Sequence, residues 1–134
     1  MLLVIDDDKA IREDIILSWW KQKYDIDKSQ VIWLVEYPSE GLVEYLSKHS
    51  NIEYISFDHD LGEKEVSSEL NKEMWEYEDF EFQKAFDDKI IKIHSMNPRG
   101  AENIYHKLVT FAGSVEICSL MRMVSELNLS LIHI

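Results

Sequence analysis

Short, mostly apolar runs alternate along the chain with longer stretches in which apolar residues recur at helical spacing. A short aliphatic run bounded by polar residues is typical of a strand buried in a parallel sheet. Five such runs are present, at residues 2–5, 31–35, 52–57, 89–93 and 115–118. Repeated strand–helix alternation predicts an α/β fold with three αβα layers: a doubly wound, five-stranded parallel sheet in the strand order 2-1-3-4-5.

Helices are predicted between the strands from end signals and apolar spacing, over residues 9–24, from Ser39 onward, within 63–88, from Asn97 onward, and over 120–127. The inner face of the first helix is expected to carry three residues one turn apart: Ile11, Ile15 and Trp19. In the acidic stretch 63–88 the spacing predicts a helix packed on the sheet. The alternative is a lid in which Trp75 and Tyr77 stack on a nucleobase.

Length and composition fit a single domain over residues 1–128. The chain has 134 residues, which is enough to bury a core without disulfides. A hydrophobic fraction of 46% and few Gly and Pro residues exclude disordered and collagen-like chains. The tail, residues 129–134, fits no element of this plan and is interpreted either as an extra edge strand or as non-native read-through.

The formal net charge of -12 limits the partners that the chain can have. Such a surface repels duplex nucleic acid and anionic membranes, so neither is expected as a partner. The single cysteine, Cys118, fits a reducing compartment and is expected in the core. With no secretory signal and no apolar run long enough for a bilayer, we expect a cytoplasmic protein.

Polar side chains follow three of the predicted strands at the point where each strand ends. They are Asp6, Asp7 and Asp8 after strand one, Asp58, His59 and Asp60 after strand three, and His94, Ser95 and Asn97 after strand four. In the order 2-1-3-4-5 these three strands are adjacent, and open parallel sheets bind ligands outside their carboxyl ends. We therefore expect the three clusters to meet in one crevice.

Carboxylates crowded into one crevice repel each other and need a cation. Hard oxygen ligands suit Mg²⁺ or Mn²⁺. Asp6, Asp7 and Asp58 are the candidate ligands, with Asp60 as an alternate.

The start of the helix after strand four predicts an anion site beside the metal. Free backbone N–H groups at a helix start, next to Arg99, suit a phosphate, and Gly100 would let a ligand approach the backbone closely. Ser95 and Asn97 are further candidate phosphate ligands. His94 and His59, which titrate near neutrality, are candidate general acids or bases, and the whole set indicates phosphoester chemistry.

Residues 3–8 (Leu-Val-Ile-Asp-Asp-Asp), with Asp58 and Ser95 at later strand ends, resemble the receiver domain of two-component response regulators, which has a flavodoxin-like fold. The resemblance implies a Mg²⁺-binding acidic pair at Asp6 and Asp7, a phosphoacceptor at Asp58 and a small hydroxyl residue at Ser95. Receivers keep a Lys at the end of strand five. This chain departs from that pattern, with Cys118-Ser119 there and no Lys within residues 114–120.

Two stretches are similar to the hallmark stretches of the cyclic-phosphate-processing receiver-like domains, which are receiver-derived proteins found often in phages and bacteria. They are residues 56–62 (Ser-Phe-Asp-His-Asp-Leu-Gly) and 93–101 (Ile-His-Ser-Met-Asn-Pro-Arg-Gly-Ala). The resemblance runs from Leu2 to about Leu127. It implies a receiver fold that acts on cyclic phosphates.

The leading hypothesis is a metal-dependent phosphoesterase that opens a cyclic phosphate on a small nucleotide or an RNA end. Asp58 would act with the metal, His94 would be the general acid or base, and His59 is a second candidate for that role. Two alternatives stay open. One is a phosphoacceptor receiver that uses Asp58, and the other is a non-catalytic module that binds a nucleotide or a protein.

Overall fold

A parallel sheet forms the centre of the fold, and the computed structural model describes residues 1–132. The strands are β1 (Leu2–Ile5), β2 (Val31–Leu34), β3 (Tyr54–Phe57), β4 (Asp60–Leu61), β5 (Lys64–Glu65), β6 (Ile90–Ile93) and β7 (Ser114–Ile117). Five of them pair in parallel in the order β2-β1-β3-β6-β7, whereas β4 and β5 form a small antiparallel hairpin. Without the hairpin strands this is the predicted order 2-1-3-4-5, which is confirmed.

Helices cover both faces of the sheet, as a doubly wound fold requires. They are α1 (Lys9–Tyr24), α2 (Leu42–Lys48), α3 (Val66–Glu76), α4 (Asp79–Phe86), α5 (Pro98–Leu108) and α6 (Leu120–Ile132), with a 3₁₀ helix at Lys28–Gln30. Leu2 and Val4 of β1 pack toward α1 and α6, while Leu3 and Ile5 pack toward α2 to α5. All four side chains are completely buried because helices cover both faces of the strand, which explains why the sequence of β1 is apolar without interruption.

The buried face of α1 differs from the predicted one. Ile11 is 73% exposed, whereas Ile16, Trp19 and Trp20 are buried against the sheet. The prediction for Ile11 is therefore wrong. One turn before Ile16 the same stripe carries Arg12, whose side chain turns toward the carboxyl ends of the strands.

The acidic stretch 63–88 forms the second strand of the hairpin and two helices instead of one helix. The chain breaks between α3 and α4, where the Glu78 side chain caps α4 in a capping box with Glu81. Trp75 is 87% exposed, and neither it nor Tyr77 lines the crevice described below, so the lid interpretation gains no support.

The start of α2 also differs from the prediction, because the helix begins at Leu42 and not near Ser39. Gly41, with a φ of 86°, precedes it, and no side chain local to that end caps it. The free amides of Leu42 and Val43 instead donate to the Glu73 carboxylate, each at 2.9 Å.

The C-terminal segment continues α6 through Ile132, so the edge-strand interpretation of residues 129–132 is wrong. Residues 133–134 lie outside the described residues. Cys118 is buried beneath α6, as expected for a core residue, and burial raises the pKa of its thiol to about 11. Across residues 1–132, no helix has both the length and the apolar character needed to span a membrane.

Candidate functional site

An open crevice lies at the carboxyl ends of β1, β3 and β6, where the strand order predicted it. Its volume is about 420 Å³, and its lining consists of Asp7, Asp8, Arg12, Asp58, Asp60, Gly62, Ser95, Met96 and Asn97. Four of these side chains are carboxylates and one is a guanidinium. The lining therefore carries an excess of negative charge.

Asp6 is fully buried beneath this lining and connects three strand ends. Its backbone amide donates to Leu34 O at 3.0 Å, which extends the pairing of β1 with β2. Its Oδ2 atom lies 2.7 Å from His94 Nε2, and His94 Nδ1 lies 2.7 Å from Ser56 Oγ. A buried hydrogen-bonded chain thus runs from Ser56 in β3 through His94, after β6, to Asp6, after β1.

Arg12 bridges Asp6 and the second buried carboxylate, Asp58. Its Nη1 atom lies 2.9 Å from Asp58 Oδ2 and 3.2 Å from Asp6 Oδ2. The other oxygen of Asp58 accepts a hydrogen bond from the amide of His59 at 2.8 Å. Because two carboxylates share one guanidinium, this inner triad keeps one net negative charge when both acids are ionised.

The two acids of the triad differ in their pKa. Burial alone would raise the pKa of Asp6, but hydrogen bonds from His94 and the Asp8 amide, together with the charges of His94 and Arg12, lower it below its ordinary value. Burial and the neighbouring charge of Asp6 raise the pKa of Asp58. Asp58 is therefore the first of the two to take up a proton as the pH falls.

His59 forms the centre of a second buried network on the other side of Asp58. Its Nδ1 atom lies 3.0 Å from Asp60 Oδ1, and its Nε2 atom lies 2.8 Å from Ser67 Oγ in α3. Only 2% of the residue is exposed. His59 is thus bonded to Asp60, which lines the crevice, whereas His94 is bonded to Asp6, which is buried beneath the lining.

The family model described as "Cyclic-phosphate processing Receiver domain" matches residues 1–110. The chain belongs to this family. Among solved structures, the N-terminal domain of an uncharacterized protein from Wolinella succinogenes is similar, with 11% identity, a TM-score of 0.51, and coverage of 95% of this chain and 90% of that one. This likeness concerns the fold alone.

A second solved structure, a CheY-like response regulator receiver domain protein from Methanospirillum hungatei, has 14% identity and a TM-score of 0.47, covering 98% of this chain and 93% of that one. No curated protein matches the chain by sequence.

In this cyclic-phosphate processing receiver domain, the inner donor set fits a hard divalent cation. One ligand atom each of Asp6, Asp58 and His94 lies within 4.8 Å of the others. His94 uses both ring nitrogens within the protein, so the two carboxylates are the donors that Mg²⁺ or Mn²⁺ would use. Carboxylates that bind a metal are commonly held in place by a hydrogen bond from a neighbouring residue. His94 makes such a bond to Asp6.

The other two predicted metal ligands lie in the crevice lining but outside this group. Asp7 is exposed, and its Oδ2 atom accepts a hydrogen bond from the Gly62 amide at 3.0 Å. Asp60 belongs to a separate group with His59 and Glu65. Metal binding by Asp7 or Asp60 stays a prediction.

The predicted phosphate ligands divide into two pairs. Ser95 and Asn97 line the crevice, and the Asn97 side chain caps α5 by accepting from the Gly100 amide at 3.0 Å. Arg99 is exposed and lies outside the crevice lining. A Cβ atom at Gly100 would lie 2.4 Å from the His59 ring, so the imidazole takes the space beside this glycine. Ligand binding at Gly100 stays a prediction.

Sequence reasoning missed Arg12 and Ser56. Arg12 lies four residues before Ile16, so the correct inner stripe of α1 would have pointed to it. Ser56 is a polar residue inside an otherwise apolar strand, which is a usable signal for a buried hydrogen bond.

Proposed function

We propose that this chain is a metal-dependent phosphoesterase that opens cyclic phosphates on small nucleotides or RNA ends by hydrolysis. The observation that carries the proposal is the pair of buried carboxylates, Asp6 and Asp58, held by internal hydrogen bonds at the floor of an open polar crevice. Membership of the cyclic-phosphate processing receiver family supports the choice of substrate.

The charge of the crevice supports a metal requirement. Asp7, Asp8 and Asp60 add to the negative charge of the inner triad, and Arg12 is the one basic side chain among the described residues of the lining. A phosphodiester anion is repelled from such a site unless a cation is recruited. Asp6 and Asp58 would hold that cation.

The reaction needs a water oxygen to bond to phosphorus, one ring P–O bond to break, and a proton to reach the leaving oxygen. When bound, a divalent ion supplies polarisation of the phosphoryl group and an activated water. Ser95 accepts from the Asn97 amide at 3.0 Å, so its hydroxyl hydrogen is available for a phosphate oxygen.

Proton transfer is assigned to the carboxylates that face the crevice. Both nitrogens of His94 and of His59 are bonded within the protein, so neither ring touches substrate directly. Asp60 lines the crevice and is paired with His59, so a proton shared by this pair can pass to the leaving oxygen through Asp60. His94 acts as a positioning residue for Asp6.

The test is incubation of the pure chain with cyclic nucleotides and with RNA ending in a cyclic phosphate, in Mg²⁺, Mn²⁺ or a chelator. Ring-opened product is expected with metal, and the Asp58→Asn variant should lose it. Asp14→Asn is a matched control, because Asp14 is an exposed acid of α1 outside the crevice. If no substrate turns over with either metal, the proposal fails.

A phosphoacceptor receiver is the second candidate, favoured by the position of Asp58 in the crevice lining at the end of β3. Against it, the lining formed by the described residues contains no Lys. If the chain is such a receiver, acetyl phosphate should add a labile phosphate to the wild type and none to Asp58→Asn. Mass spectrometry of the intact protein detects the added phosphate.

A non-catalytic binder would instead be stabilised by a cyclic nucleotide without forming product. The gain in the free energy of unfolding would be about 2.7 kcal/mol when the nucleotide is at a hundredfold its Kd.

A further inference from the structure

Arg12 and a divalent cation would use the same carboxylate oxygens. The Oδ1 atoms of Asp6 and Asp58 each accept a backbone amide at 2.8 Å, from Asp8 and from His59. Arg12 Nη1 lies within 3.2 Å of the Oδ2 atoms of both acids, and Asp6 Oδ2 is also bonded to His94 Nε2. An ion held by these two acids therefore has to displace the guanidinium or share its oxygens.

The Arg12 side chain reaches the open crevice and is not sealed inside the core. It extends from the first turns of α1 into the crevice lining, and 23% of the side chain is exposed. Of the three guanidinium nitrogens of Arg12, Nη1 is the one that donates to an acceptor among the described residues. The remaining N–H groups are available to a ligand in the crevice.

The charge balance gives such an exchange a consequence. With Arg12 alone, the triad of Asp6, Asp58 and Arg12 has one net negative charge. With a divalent ion added and Arg12 still at the crevice, the same groups have one net positive charge. With Asp7, Asp8 and Asp60 included, the crevice changes from four net negative charges to two, so the repulsion of a phosphodiester anion weakens while the inner triad itself becomes positive.

We propose that Arg12 is an internal counter-ion, which a divalent cation displaces from Asp6 and Asp58, and that the released guanidinium binds the phosphate group of the substrate. A guanidinium offers paired N–H donors that match phosphate oxygens. The second half of this proposal rests on the proposed function, whereas the cation exchange does not.

The exchange is tested by titrating Mn²⁺ alone into the full chain and following the heat of binding. Arg12→Gln should bind Mn²⁺ about tenfold more tightly than the wild type, because the competing charge is gone. Lys9→Gln is the matched control: it removes a positive charge from the same helix, where Lys9 pairs with Glu13 at the surface. It should change the affinity by less than about twofold. Equal or weaker Mn²⁺ binding by Arg12→Gln overturns the exchange.

The handover to phosphate is tested with inorganic phosphate at saturating Mg²⁺. Arg12→Gln should bind phosphate about tenfold more weakly than the wild type, as expected for the loss of a charge-assisted contact. An unchanged phosphate affinity overturns this half of the proposal.

A wild-type measurement covers the case in which Arg12→Gln does not fold. The side-chain N–H signals of Arg12 in an NMR spectrum should shift as Mg²⁺ is added, and a signal that stays fixed at saturating Mg²⁺ overturns the exchange. Mn²⁺ exchange without turnover of any cyclic phosphate would support the exchange while it refutes the proposed function.

Discussion

Gly100→Ala tests whether the imidazole of His59 is the reason for a glycine at the start of α5. In the wild type, the added methyl group would lie 2.4 Å from the His59 ring, which is buried between α3 and α5. Overpacking of this kind costs about 1–3 kcal/mol, while Ala is favoured over Gly inside a helix by about 0.8–1.0 kcal/mol. We expect a net loss of about 1 kcal/mol in the free energy of unfolding.

The same substitution should have the opposite sign once the imidazole is removed. In a His59→Ala background the methyl group meets no ring, so the helix preference remains and Gly100→Ala should stabilise by about 0.5–1 kcal/mol. The four proteins of this double-mutant cycle are compared by urea denaturation followed by circular dichroism.

Asn103→Ala is the control, because Asn103 is an exposed residue of the same helix. It should give the same small gain in both backgrounds. A Gly100→Ala effect of equal sign and size in both backgrounds would refute the assignment of the glycine to His59 packing.

Three further predictions concern the buried acids and their partners. Glu73→Ala leaves the amides of Leu42 and Val43 unpaired in the core, so it should lower the free energy of unfolding in urea by about 3 kcal/mol, and an unchanged value would contradict the long-range cap. His94→Ala removes the hydrogen bond behind Asp6 and should weaken Mn²⁺ binding, measured by calorimetry, by about 10–100-fold. Burial and the charge of Asp6 raise the pKa of Asp58, so the wild type loses stability as the pH rises from the ordinary carboxyl pKa through the raised one. Asp58→Asn lacks this loss, and its gain in urea stability should be largest near neutral pH and shrink toward about pH 4; a gain that does not vary with pH would contradict the raised pKa.

The sheet and the meeting of the three strand ends could be predicted because they depend on local signals. Leu2–Ile5 and Ile90–Ile93 are short aliphatic runs, and parallel strand order brings their carboxyl ends to one edge of the sheet. Asp6, Asp58 and His94 therefore fall together, as expected.

The depth of each side chain could not be predicted, because it depends on packing between distant elements. His94 was expected to face substrate, yet Ser56 and Asp6 occupy both of its nitrogens. Gly100 was assigned to a ligand, whereas the space beside it is taken by a ring that lies 41 positions earlier in the chain, at His59. Residue spacing predicts that a side chain lies at a strand end or on a helix face. It does not predict which side chain from a distant element will contact it.

Hydrolysis of a cyclic nucleotide in water enriched in heavy oxygen, with Mg²⁺ present, tests the proposed activity most directly. Mass spectrometry of the product should find one heavy oxygen bonded to phosphorus in the ring-opened monoester, and this product should be missing with Asp58→Asn. Recovery of only the intact ring, or of an opened product without the heavy oxygen, would contradict hydrolysis at this crevice.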